Sequence, residues 1–112
     1  MLTSNFFLLT PIPMFNLFKP YPDLVADLSR RSEGNMKLFE ANPTGEQNRA
    51  RFLVSLGLDG ESWVRSENVH GKTVAVVDDS AKGTFITGAD GLITTTQGLS
   101  LLAAVADCLP LY

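Results

Sequence analysis

The sequence predicts a mixed α/β or α+β domain, and three observations carry that prediction. One helix with recognisable start and stop signals occupies the middle of the chain. Short β-branched and apolar segments divided by turn residues follow it. The composition is that of an ordinary folded protein, with 45% hydrophobic and 19% charged residues over 112 positions. Neither the low hydrophobicity nor the high net charge of a disordered chain is present. A chain of this length buries roughly two-thirds of its unfolded surface, enough for one core.

Taken in order, Leu24-Val25-Ala26-Asp27-Leu28 is expected as a short strand after the Pro20-Tyr21-Pro22 turn. Arg30 to Asn35 is polar, contains Gly34 and reads as a loop. Thr44 and Gln47 have the spacing of a capping box, which predicts a helix from about Gly45 to Leu56. Ala50, Leu53, Val54 and Leu56 should face the core, and Gly57 should end the helix. Trp63–Val69 is a strand candidate that alternates poorly, whereas Lys72–Val77 is a clear β-branched strand broken by Asp78-Asp79-Ser80. Lys82-Gly83 and Gly88-Ala89-Asp90-Gly91 supply turns, and Leu92–Thr95 and Ser100–Ala106 are further strands.

The charge balance excludes some partners. Nine Lys and Arg against twelve Asp and Glu give a net charge of −3, which argues against a basic groove for nucleic acid. A single cysteine forms no internal disulfide and fits a reducing compartment. The apolar stretch Phe6–Leu9 is preceded by no Lys or Arg and followed by Pro11 and Pro13, so it does not read as a secretory signal. No run approaches the ~20 apolar residues that span a bilayer. The cytoplasm is the expected compartment, with no membrane partner. Leu101–Ala106 is continuously apolar and the chain closes on Leu109-Pro110-Leu111-Tyr112. Domains usually end in polar, frayed residues, so the expectation is the N-terminal part of a longer domain.

One His and one Cys are available for chemistry, His70 and Cys108. His70 stands at the end of a strand candidate beside Gly71, and Cys108 follows Asp107 at the end of an apolar strand. Taken alone, each also fits a plain role, the His as a hydrogen-bonded structural residue and the Cys as a small buried hydrophobe. No local metal-ligand spacing is present.

Asn68-Val-His-Gly71, Gly88-Ala-Asp-Gly-Leu-Ile-Thr94 and Val105-Ala-Asp-Cys-Leu-Pro110, in that order, resemble the laccase-domain family. That family is also called the multicopper polyphenol oxidase, purine nucleoside phosphorylase or peptidoglycan editing factor family. Upstream, Asn48-Arg49 followed by Leu56-Gly57-Leu58 resembles its Asn-Arg helix, and Arg30-Arg31 with Gly34-Asn35-Met36 resembles its Arg-x-Gly-Gly loop. Asn68 stands where many members have Gln. The resemblance implies a layered sandwich of mixed β-sheet with helices, residues 16–112 forming the N-terminal part of one laccase-type domain behind an extension of residues 1–15.

It also implies a zinc site of one Cys and two His, in a cleft that accepts a purine nucleoside. His70 matches the first His and Cys108 the Cys; the second His belongs to a segment that follows the Ala-Asp-Cys strand in the family. Three such ligands leave a fourth position for water or substrate, and His70 and Cys108 would then be catalytic as well as metal ligands. Asp107 either orients a ligand from behind or caps the strand end. Asp90 is either a turn former, a substrate contact or, like Asp107, a residue that orients a ligand from behind. Arg30 or Arg31 either holds phosphate bidentately or is a solvated loop charge.

The implied activity is phosphorolysis of adenosine, inosine or guanosine, with adenosine deamination in some members. With two of three ligands the chain alone is expected to hold zinc weakly and to be inactive. Copper-dependent phenol oxidation is the alternative enzyme reading, but multicopper sites need many His ligands and this chain has one. The non-enzymatic alternative is a truncated product that associates through an unfinished sheet edge.

Overall fold

Pro43 decides where the helix begins. The computed structural model describes residues 21–36 and 43–105, and the chain divides into two units, Met1–Leu56 and Gly57–Tyr112. In the first unit α1 runs Pro43–Ser55. At the first helical position proline's missing N–H costs nothing and its φ is already helical. The helix therefore starts ahead of Thr44, which lies within the first turn instead of forming the expected capping box. Gly57, at φ 80°, stops it as expected.

The buried face of α1 is Gly45, Asn48, Arg49 and Leu53, a stripe at helical spacing. Val54, expected in the core, is 62% exposed. Apolar periodicity misplaces this face because two of its four residues are polar. Asn48 has a specific task there: its Nδ2 donates to the Asn35 carbonyl at 2.9 Å, and its Oδ1 accepts from Arg51. The Arg30–Asn35 loop contains one 3-10 turn, Arg31–Glu33, with the Arg30 backbone N–H donating to the Glu33 carboxylate at 2.6 Å.

Gly34 sits at φ 90°, and a Cβ built there would stand 2.5 Å from Asn48 Nδ2. Strain and clash act together, so Gly34→Ala should lose about 1–3 kcal/mol of stability, read from the shift in a urea unfolding curve. The strand expected at Leu24–Leu28 does not form. The Leu24 N–H closes a turn onto the Tyr21 carbonyl at 3.0 Å, and Leu24 and Val25 are 49% and 48% exposed. With no neighbouring ladder among the described residues, β-branched composition does not make a strand.

In the second unit the chain alternates between two small sheets. β1 (Trp63–Ser66), β3 (Thr84–Ile86) and β5 (Ser100–Leu102) form one, in the order β3-β1-β5, and β2 (Val74–Val76) and β4 (Gly91–Ile93) form the other. Every described pairing is parallel. Parallel neighbours need a crossover, and here each crossover passes through a strand of the other sheet. Val64, Val77 and Leu99 make the buried centre, with Ala75, Ala81, Ile86 and Leu92 packed against it. On β2 and β4 the alternate residues Val74, Val76 and Ile93 face outward and are more than half exposed.

β1 alternates poorly because all four of its residues are buried, as a central parallel strand requires. It carries Arg65, 8% exposed, and burial pushes that guanidinium pKa down. β3 is a strand that the sequence reading passes over, three residues lying between two turn signals. The strand expected over Ser100–Ala106 stops at Leu102 within the described residues, and Ala106 lies outside them. The Asp78-Asp79-Ser80 break forms a 3-10 turn, Asp79–Ala81, with Asp78 accepting from the Ser80 amide. Hydrogen bonds from the Ser80 hydroxyl and amide hold the Asp78 carboxyl below its usual pKa. Among the described residues no helix is long and apolar enough to cross a membrane.

Candidate active site

Because β1, β3 and β5 are parallel, their carboxyl ends lie together, and such ends are where ligands bind in open parallel sheets. Three segments leave from that edge: Glu67–Gly71 after β1, Thr87–Asp90 after β3 and Ala103 onward after β5. The first two carry His70 and Asp90. Asp107 and Cys108, and the 1–15 extension with its boundary at residue 16, lie outside the described residues.

His70 is exposed and adopts φ 60°, with Asn68 at φ 67°; among the described residues these are the non-glycine positions of positive φ. Left-handed backbone is unfavourable for L-residues and persists where the surroundings impose it. Asp90 supplies part of that constraint. Its Oδ1 accepts from the His70 backbone N–H and its Oδ2 from the Gly71 N–H, each at 2.9 Å. A Cβ at Gly71 would stand 3.1 Å from Asp90 Oδ2, so glycine there lets the carboxylate come close. The Asp90 and Gly91 amides both donate to the Thr73 carbonyl, at 2.9 and 3.2 Å, which fixes Asp90 in turn.

Asp90 thus serves the backbone beneath His70. Asn68, noted in the sequence only as a departure from Gln, is the residue that reading missed. Its backbone N–H donates to the Ala89 carbonyl at 3.0 Å. Its Oδ1 accepts from the Ser66 hydroxyl at 2.6 Å, and its Nδ2 donates to the Ala104 carbonyl at 2.8 Å. An Asn directly before a Val-His-Gly element was the available signal.

Arg30 and Arg31 belong to the first unit, where they flank and open the 3-10 turn. Among the described residues no three His, Cys, Asp or Glu side chains stand together as a metal-binding group. His70 and Cys108 are an imidazole and a thiol, donors that zinc takes, but two donors fall short of the three or four a zinc site needs.

Comparison with known proteins identifies the family. A family model described as multi-copper polyphenol oxidoreductase laccase matches residues 35–112. A purine nucleoside phosphorylase of Corynebacterium glutamicum is 41% identical over 64 residues, covering 56% of this chain and 26% of the relative. One from Geobacillus stearothermophilus is 38% identical over 72 residues, covering 58% and 26%. One from Deinococcus radiodurans is 43% identical over 65 residues, covering 58% and 24%. The chain spans about a quarter of the length of these curated relatives. No solved structure matches it significantly. The match takes in α1, the five described strands and the His70 loop, and the chain belongs to the multi-copper polyphenol oxidoreductase laccase family.

Proposed function

We propose that this chain contributes one side of the nucleoside site of a cytoplasmic purine nucleoside phosphorylase-type enzyme. The reaction is cleavage of the glycosidic bond of adenosine, inosine or guanosine by phosphate. The observation that carries the reading is His70: the single His of the chain, exposed at the strand ends on a loop tied down by Asp90. The names of the relatives support the substrate class.

In this reading His70 and Cys108 would be zinc donors, two of the three or more that such a site needs. When bound, the metal supplies a positive, polarising centre. Asp90 holds the backbone that carries the imidazole. A guanidinium fork of the kind Arg30 or Arg31 offers suits the oxygens of phosphate. Holding phosphate and nucleoside in line converts a bimolecular encounter into an oriented one, a contribution of up to about 7–11 kcal/mol to the barrier.

The test is a chimera of this chain with the remainder of the Corynebacterium glutamicum relative, supplied with inosine. Phosphate-dependent release of hypoxanthine with an equal amount of ribose 1-phosphate is expected. Release that is equal without phosphate, or none where the intact relative is active, would overturn the reading.

A further inference from the structure

Ser66 is the least exposed polar side chain among the described residues. It ends β1 at 1% exposure, and a hydroxyl so placed costs stability unless it is hydrogen-bonded. Alanine would fill most of the same space without that cost. The hydroxyl donates to Asn68 Oδ1 at 2.6 Å, a partner two residues on, where the chain has left the strand.

That donation decides which end of the Asn68 carboxamide turns inward. With Oδ1 against Ser66, Nδ2 faces the Ala104 carbonyl and donates to it at 2.8 Å. Turned the other way, Oδ1 would meet that carbonyl acceptor against acceptor. Ser66 thus fixes Asn68, and Asn68 fixes one end of the His70 loop. Its backbone N–H donates to the carbonyl of the buried Ala89 at 3.0 Å. The next residue, Asp90, takes the His70 and Gly71 amides at the other end. Residues 68–71 are therefore strapped across Ala89 and Asp90 and held at both ends.

Two left-handed non-glycine residues lie within the strap, Asn68 at φ 67° and His70 at φ 60°. Asn adopts that backbone readily, whereas His does so under strain. The His70 side chain is exposed, so its own packing does not account for the strain. What the strap achieves is to keep the backbone that carries the imidazole in one conformation before any ligand arrives.

We propose that Ser66 is a positioning residue for His70, acting through Asn68. The proposal rests on the reading that His70 works in the nucleoside site. Every contact in it is made by the protein's own donors and acceptors.

The first test uses the full 112-residue chain with Ser66→Ala, Asn68→Ala and the two combined, amide exchange being followed residue by residue. Ser66→Ala should speed exchange at His70 and Gly71 about five- to tenfold relative to Val64, the factor set by one hydrogen bond of ordinary net strength. In the Asn68→Ala background the same change should add nothing at those two amides. Equal acceleration at Val64, or a Ser66→Ala effect that persists without the Asn68 carboxamide, would overturn the proposal, because the hydroxyl would then serve the strand alone.

The chimera with the Corynebacterium glutamicum relative supplies the second readout. Ser66→Ala should lower kcat for inosine phosphorolysis about five- to tenfold and leave KM for inosine and for phosphate within about twofold. A raised KM at unchanged kcat, or no change in either, would also overturn the proposal. An unsubstituted chimera without activity overturns the function reading instead, and the exchange result still decides the link from Ser66 to His70.

Discussion

Asp90→Ala is expected to lower the unfolding free energy by about 2–4 kcal/mol, measured by urea denaturation. The carboxylate receives two backbone N–H groups, from His70 and Gly71, each at 2.9 Å. Hydrogen bonds to a charged group contribute about 1.5–3 kcal/mol each. Asp90 is half-buried, so solvent screening reduces the pair below the full sum. The loss is also specific in kind. His70 is held at φ 60°, and once the carboxylate is gone the loop relaxes toward ordinary backbone, so amide exchange at His70 and Gly71 should accelerate more than at the β1 strand. Asp90→Asn should fall between, because its oxygen can accept from one amide while its NH2 opposes the other.

Val64→Asp is expected to abolish folding of the second unit. Val64 is fully buried at the centre of β1, against Val77 and Leu99 with Ala75, Ile86 and Leu92 around them. An isolated carboxylate in such a place must be neutralised or brought back to water, at a cost of several kcal/mol. The whole stability of a domain this size is about 5–15 kcal/mol. Loss of amide dispersion in the proton–nitrogen spectrum of residues 57–105 reads the outcome directly. Val64→Ala, which only removes methyl groups and leaves a small cavity, should keep the fold and lose about 1.5–3 kcal/mol.

How far the sequence revealed this molecule depended on which force set each element. α1 was legible because its stop at Gly57 is a local backbone preference, yet its inward face was not, because Asn48 and Arg49 are buried for polar reasons. β2 and β4 were legible from β-branched runs next to turns. β1 was blurred because a strand buried on both faces has no alternation to detect, and β3 is too short to rise above the turns on either side. Leu24–Leu28 failed in the opposite direction: its composition favours a strand, but pairing is a tertiary property and no partner meets it among the described residues. At the site, His70 was visible by its motif. The clamp by Asp90 and the tie through Asn68 were not, since both join segments about 20 or more positions apart in the sequence.

The proposed function depends on His70 and Cys108 serving one site, and one measurement reaches that pairing most directly. Phosphate-dependent hypoxanthine release is compared between the chimera with the Corynebacterium glutamicum relative and the same chimera carrying His70→Ala or Cys108→Ala. His70 is exposed, so His70→Ala should leave the urea midpoint unchanged while kcat/KM falls at least about 10³-fold, the scale of losing a group that acts in the transition state. Cys108→Ala should cause a loss of the same order. Phosphorolysis that survives both substitutions within about twofold would contradict the account.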